Sequence, residues 1–166
     1  MATLFRALLQ AAQERIRITT AYFVPDEELT DRLCEAAGRG VKVQILLPGP
    51  HADKRFVQIA GEAMYDRLLE CGVEIWNFQP SMLHTKVMTI DGRVANVGSA
   101  NLNARSTACD EEINVVVLDS EIVRTLDAHF DDDLERSVAI EPGRWEDRSL
   151  TQRAVEKVVT PIRRLL

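Results

Sequence analysis

A chain of 166 residues, 46% hydrophobic and 28% charged, has the material for one globular domain with a real core; folding at this size removes about 70% of the unfolded surface from water. The net charge of −6 argues against a protein whose main task is gripping nucleic acid, because that affinity comes from neutralising phosphates. No apolar run approaches the ~18 residues of a membrane span, and no signal peptide is visible, so any membrane contact by this chain is expected to be peripheral, at the cytoplasmic membrane. Cys34, Cys71 and Cys109 are odd in number and form no C-x-x-C pair, which predicts reduced, partly buried thiols in a cytoplasmic setting.

Residues 1–13 carry Leu4, Phe5, Leu8, Leu9 and Ala12 at helical spacing, an amphipathic helix to lay on a sheet. Arg15 to Val24 alternates and is rich in Ile, Thr and aromatics, which predicts a strand. Pro25 and Asp26 open a helix that runs through Leu33 and stops at Gly38-Arg39-Gly40. Val41 to Leu47 is a second strand, ended by Pro48-Gly49-Pro50. A polar loop with His51, Asp53, Lys54 and Arg55 follows, and Asp53 is placed to cap the long helix expected over residues 56–70. Val73 to Phe78 is a third strand.

The stretch from Leu83 to Asn103 then reads as a hairpin. Apolar and polar residues alternate from His84 to Ile90, so a strand would point His84 and Lys86 to one side. Asp91-Gly92 is a tight-turn signal, and Val94 to Val97 returns the chain to Gly98-Ser99-Ala100-Asn101. Glu112 to Leu118 contains INVVVL, which suggests a strand buried on both faces. Ser120 is the expected N-cap of a helix whose inner face holds Ile122, Val123, Leu126 and Phe130. From Glu141 onward a helical tail with Leu150, Ala154 and Val158 is interrupted by Pro161. The element order predicts an α/β fold: one domain over residues 1–166, with a mixed β-sheet sandwiched between helical layers.

Taken as reagents, the hairpin residues suit phosphodiester chemistry. A neutral imidazole is a competent nucleophile at phosphorus with a pKa near working pH. Lys86 supplies a fixed charge for a phosphate oxygen, and Ser99 and Asn101 can donate hydrogen bonds to the others. No cluster of His and carboxylates at metal spacing appears, so neither a metal nor a cofactor is expected.

The spacing H-x-K, four residues, D, six residues, G-S-x-N at His84, Lys86, Asp91, Gly98, Ser99 and Asn101 resembles the motif of the phospholipase D superfamily. The flanks YFVPD, LLECGVEIW, FQPSMLHTK, GSANLNARS and EEIN are similar to the C-terminal half of bacterial cardiolipin synthases, and the likeness extends to the tail with Trp145 and Arg148. That resemblance implies a phosphohistidine mechanism in which two such motifs share a pocket. One histidine attacks the phosphodiester. The other protonates the leaving alcohol, then deprotonates the incoming water or alcohol. It implies that His84 is nucleophile or general acid, that Lys86 and Asn101 bind phosphate, and that Ser99 supports them. Glu112 matches the carboxylate that, in the family, accepts from the imidazole's other nitrogen. Asp91 suits a structural turn carboxylate as well as a catalytic one. His51 and its loop resemble a pocket rim with a headgroup role or a solvated loop, and Tyr22 lines the pocket or packs in the core.

This chain contains one motif, not two. The expected partner is therefore a second copy, as a symmetric homodimer, or a second histidine-bearing half. The expected substrate is a phospholipid such as phosphatidylglycerol, with no nucleic acid. The alternatives are a dimeric single-motif phosphodiesterase or nuclease, and a non-catalytic half of a two-motif enzyme.

Overall fold

The computed structural model describes residues 1–142; the expected helical tail falls largely outside them. Helix α1 (Ala2–Ala11) buries Phe5 and Leu9. It is followed by β1 (Arg15–Thr19), the short β2 (Phe23–Val24), α2 (Glu27–Gly38) and β3 (Lys42–Pro48). Then come α3 (Arg55–Glu62), α4 (Tyr65–Glu70), β4 (Glu74–Phe78), β5 (Val87–Ile90) and β6 (Val94–Gly98). The remaining elements are β7 (Leu102–Asn103), α5 (Ala104–Ala108), β8 (Asn114–Val117), α6 (Ser120–Glu135) and β9 (Ser137–Ala139).

Seven strands form one mixed sheet in the order β8-β6-β5-β1-β3-β4-β9. The β1–β3 and β3–β4 pairs are parallel and the others antiparallel. A two-stranded parallel sheet joins β2 to β7. Alternation along the strands separates two faces. Ile16, Ile18, Val43, Ile45, Met88 and Ile90 join Phe5, Leu9 and Leu33 of α1 and α2 in the main core. On the other face, Leu46 and Phe78 meet Phe130 of α6. Helices thus cover both faces, as the element order requires.

The α6 face is partly polar. Arg17 is buried and donates to the Asp127 carbonyl at 2.9 Å and to Asp131. Asp127 also accepts from Arg15 and Thr89. These bonds satisfy charges that would otherwise be costly to bury, and they fix the register of α6 on β1 and β5.

Several expected elements differ from those observed. The strand expected over residues 15–24 breaks at Thr20–Tyr22, because Asn101 captures the Tyr22 amide and the Thr20 hydroxyl. The long helix expected over residues 56–70 is two helices. Gly61 lies so close to β2 that a Cβ there would stand 1.9 Å from the Phe23 carbonyl oxygen, and the chain turns at Met64, whose N–H bonds to the Gly61 carbonyl. Asp119, not Ser120, caps α6, accepting from the Glu121 and Ile122 amides. Asp53 makes no cap for α3; Lys54 occupies that position without a side-chain bond. The INVVVL run is not buried on both faces: β8 is the sheet edge, and Ile113, Val115, Val116 and Leu118 are exposed.

The thiol expectation is also overturned. Cys34 near the end of α2 and Cys71 capping α4 are disulfide-bonded, with Cα atoms 5.4 Å apart. Packing of α2 on α4 brings them within the range a disulfide needs. The argument from free thiols to a reducing compartment therefore lapses. In chain-entropy terms, a crosslink across a separation of 37 residues contributes about 4 kcal/mol. Reductant is expected to lower the urea midpoint of the native chain and leave that of a Cys34→Ser, Cys71→Ser double variant unmoved. Equal midpoints for the native chain with and without reductant would contradict the crosslink.

Candidate active site

The segment that brings His84 and Lys86 to the sheet is not itself a strand. Residues 82–86 are irregular, and β5 begins at Val87. The pairing register still reaches back one residue, since the Gly98 N–H donates to the Lys86 carbonyl at 3.2 Å. Although no strand holds them, His84 and Lys86 meet: Lys86 Nζ lies 3.0 Å from His84 Nδ1 and 2.7 Å from the His84 carbonyl oxygen. Thr85, between them, lines a separate cavity of about 280 Å³ on the α6 face, with Arg17, His129 and Arg136.

His84 is exposed and Lys86 half-buried. Burial pulls the Lys86 ammonium below its ordinary value, opposed by the carboxylates of Glu112 and Asp53. A charged ammonium only donates, so in this arrangement His84 Nδ1 accepts and a neutral ring carries its proton on Nε2.

Gly98 closes β6 against the start of β8. A Cβ there would stand 2.2 Å from the Ile113 carbonyl oxygen, so only glycine permits the approach. Next to it, Ser99 donates its hydroxyl to Glu112 Oε2 at 2.5 Å and accepts from the Ile113 N–H at 3.1 Å. Two expectations need correction here. The Ser99 proton is used by Glu112 and is not turned to a phosphate. Glu112 makes no hydrogen bond to the imidazole among the described residues; Lys86 takes Nδ1 instead.

Asn101 is 7% exposed. Its Oδ1 accepts from the Tyr22 N–H at 3.2 Å and the Thr20 hydroxyl at 3.4 Å. A backbone N–H can only donate, which fixes the amide's orientation and turns its NH₂ away as a donor. Tyr22 stands between Asn101 and the histidine, its ring edge-on to His84 with centroids 5.9 Å apart. Its hydroxyl donates to Asp53 Oδ2 at 2.8 Å. Burial, that bond and the Asp53 charge push the Tyr22 pKa up to about 12, so the hydroxyl stays protonated at neutral pH. The ring also carries Lys54, whose Nζ lies 4.9 Å from its centre. The loop therefore reaches the site through Asp53 and Lys54. His51, the residue singled out there in sequence, is exposed and makes no described side-chain contact. The run Asp53-Lys54 was visible, but its partner lies 31 residues away in sequence.

Asp91 is the clearest departure. It sits in the hairpin turn at the far end of β5 from Lys86, with φ of 53°, followed by Gly92 at 64°. Its carboxylate accepts from the backbone N–H groups of Gln13, Glu14 and Arg15 at 2.9, 2.8 and 2.7 Å. A residue so placed pins the entry of β1 to the hairpin and does not reach the imidazole. Among the described residues, no group of three or more His, Cys, Asp or Glu could hold a metal ion.

A histidine held by a lysine, an amide fixed through Tyr22 whose NH₂ has no partner among the described residues, and a glycine-permitted turn together can handle a phosphate. Residues 5–134 match the family described as "Cardiolipin synthase, PLD-like domain". The chain belongs to this phospholipase D-like family. The phospholipase D-like domain is 37% identical over 156 residues to the probable cardiolipin synthase YwiE of Bacillus subtilis, covering 94% of this chain but 31% of that protein. It thus spans less than a third of the length of that relative. Its fold is that of two solved structures. Nuc from Salmonella typhimurium, a phospholipase D family member, gives a TM-score of 0.74 at 19% identity, over 84% of this chain and 90% of that one. Phosphatidylserine synthase from Haemophilus influenzae gives 0.75 at 17% identity, over 99% of this domain and 42% of that chain.

Proposed function

We propose that this domain supplies one half of a two-histidine site that cleaves and transfers phospholipid phosphodiesters, phosphatidylglycerol among them. The observation that carries the reading is the His84–Lys86 contact at the centre of the motif. A substrate phosphate offers Lys86 a better partner than a neutral imidazole. When Lys86 moves to it, water exchanges the ring proton, taking it from Nε2 and supplying one to the released Nδ1 of the exposed ring, and Nε2 becomes the nucleophile. Nε2 then forms a bond to phosphorus and the P–O bond to the alcohol breaks. The facing histidine gives the departing oxygen its proton. That histidine next takes a proton from the acceptor, whose oxygen attacks phosphorus as the P–N bond breaks. Lys86 and the Asn101 NH₂ stabilise the negative oxygens, and Glu112 holds the Ser99 turn beside them. Asp91 serves the fold, not the chemistry.

The facing histidine must come from elsewhere, and a second copy of this chain is the proposed source. The sheet edge supports it. Ile113 and Leu118 at either end of β8 are 75% and 79% exposed, and Val115 between them is 58% exposed. An apolar edge strand that nothing among the described residues covers is a surface for another chain. Ile113 also binds Ser99, so this edge adjoins the site that lacks its partner. A two-fold contact would bring two hairpins together. No helix among the described residues is long and apolar enough to cross a membrane; the proposed encounter with lipid is peripheral, at the cytoplasmic membrane.

The test is to incubate the protein with phosphatidylglycerol vesicles and, separately, with plasmid DNA, both in EDTA. Lipid turnover that persists in EDTA is the expected result. DNA cleavage without lipid turnover would overturn the reading.

A further inference from the structure

Lys54 lies outside the motif and has an unusual partner. Among the described residues it forms no ion pair, although carboxylates are abundant nearby. Its neighbour Arg55 bonds to Gln58 and lies 3.9 Å from Glu62. Lys54 instead places its ammonium over the Tyr22 ring. A ring face orients a cation without neutralising it, so the charge remains available to an anion.

The ring that holds it is itself fixed. The Tyr22 N–H is bound by Asn101, its hydroxyl by Asp53, and its ring meets His84. The separations of 4.9 Å from Lys54 Nζ to the Tyr22 ring centre and 5.9 Å from there to the His84 ring put the ammonium within about 11 Å of the nucleophile. Lys54 is therefore a second cation beside a site that already has Lys86 and Asn101 for the phosphate being transferred. Hydrolysis by neutral water gives a second cation nothing to bind. An acceptor that brings its own phosphodiester does. Its charge would be repelled by the phosphoryl group on His84, and the Lys54 charge nearby offsets that repulsion. The Asp53 carboxylate is a cost to such an anion, reduced by the bond it accepts from Tyr22.

We infer that Lys54, carried on the Tyr22 ring, binds the phosphate of an incoming phospholipid alcohol, and so directs transfer to a second phosphatidylglycerol over hydrolysis by water. The inference rests on the phosphodiester-transfer function proposed above. Released glycerol is then the leaving alcohol, and the product carries two phosphatidyl groups on one glycerol. No oxidant, reductant or further reactant is needed.

Two measurements test it. The first is calorimetric titration of the full chain with glycerol bearing phosphate at one end or at both. The bisphosphate is expected to bind about tenfold more tightly, and Lys54→Ala is expected to erase that difference while Lys54→Arg keeps it. Equal affinity of the unmodified chain for the two probes would overturn the inference. The second is the ratio of cardiolipin to phosphatidic acid formed from phosphatidylglycerol vesicles. It is expected to fall about tenfold in Lys54→Ala. An unchanged ratio, or an equal fall in both products together with weaker sedimentation on vesicles, would also overturn it, the latter by assigning Lys54 to membrane docking. If the unmodified protein leaves phosphatidylglycerol intact, the transfer function fails, and the titration still decides whether Lys54 binds a second phosphate.

Discussion

Replacing His84 by alanine is expected to lower phosphodiester turnover by on the order of 10⁴-fold or more, because the residue supplies both the covalent attachment point and the proton transfers. The melting temperature should not move. His84 is exposed, and its described side-chain contacts are an edge-on ring and one lysine, so little packing is lost. Acid-quenched protein should carry substrate phosphorus on residue 84 in the native chain and none in the variant, as mass spectrometry of the peptide would show. A variant that keeps a tenth of its turnover, or carries the label at another residue, would remove His84 from the centre of the mechanism.

Asp91→Asn is expected to behave in the opposite way: stability falls and the chemistry of the folded fraction does not. Three backbone N–H groups converge on this carboxylate, and the asparagine amide would turn donors toward donors. The cost is about 1–3 kcal/mol, since water reaches part of the turn. The pH dependence identifies the cause. Burial pushes the Asp91 carboxyl up, but the three backbone bonds and the charge of Arg93 outweigh it, and the net shift is below the ordinary 3.8. A depressed carboxyl contributes stability that is fully present above the unfolded value and is lost as pH falls through the folded one. The urea midpoints of native and Asp91→Asn chains should therefore differ at pH 7 and converge below about pH 4. Unchanged midpoints with lost turnover would return Asp91 to the catalytic set.

The contrast between these two residues marks what could be read in the chain. Local spacing was informative. It placed most strands, the Asp91-Gly92 turn, and His84 beside Lys86. Contacts between distant segments were not legible. Asn101 breaks the first strand by reaching Thr20 and Tyr22, some 80 positions away. Gly61 divides the third helix because Phe23 occupies the space of a side chain. Asp91 reads as part of a catalytic triplet because the motif spacing places it there, but its partners lie at residues 13–15. INVVVL is an instructive case. A strand apolar on both faces is buried by something, but composition does not say whether the cover is this chain or another. The structure leaves it at the edge, next to a site with one histidine, which turns a folding expectation into an argument for a partner. Cys34 and Cys71 meet only because two helices pack.

The central claim is that an active pocket needs two copies of His84. The direct test is to let native and His84→Ala chains exchange subunits at varied ratios and total concentration held fixed, then measure phosphatidylglycerol turnover. If each pocket takes one histidine from each copy, activity follows the square of the native fraction, and an equal mixture retains about a quarter of the native rate. Activity that falls in simple proportion, to about half in the equal mixture, would show that each chain works by itself and would contradict the account.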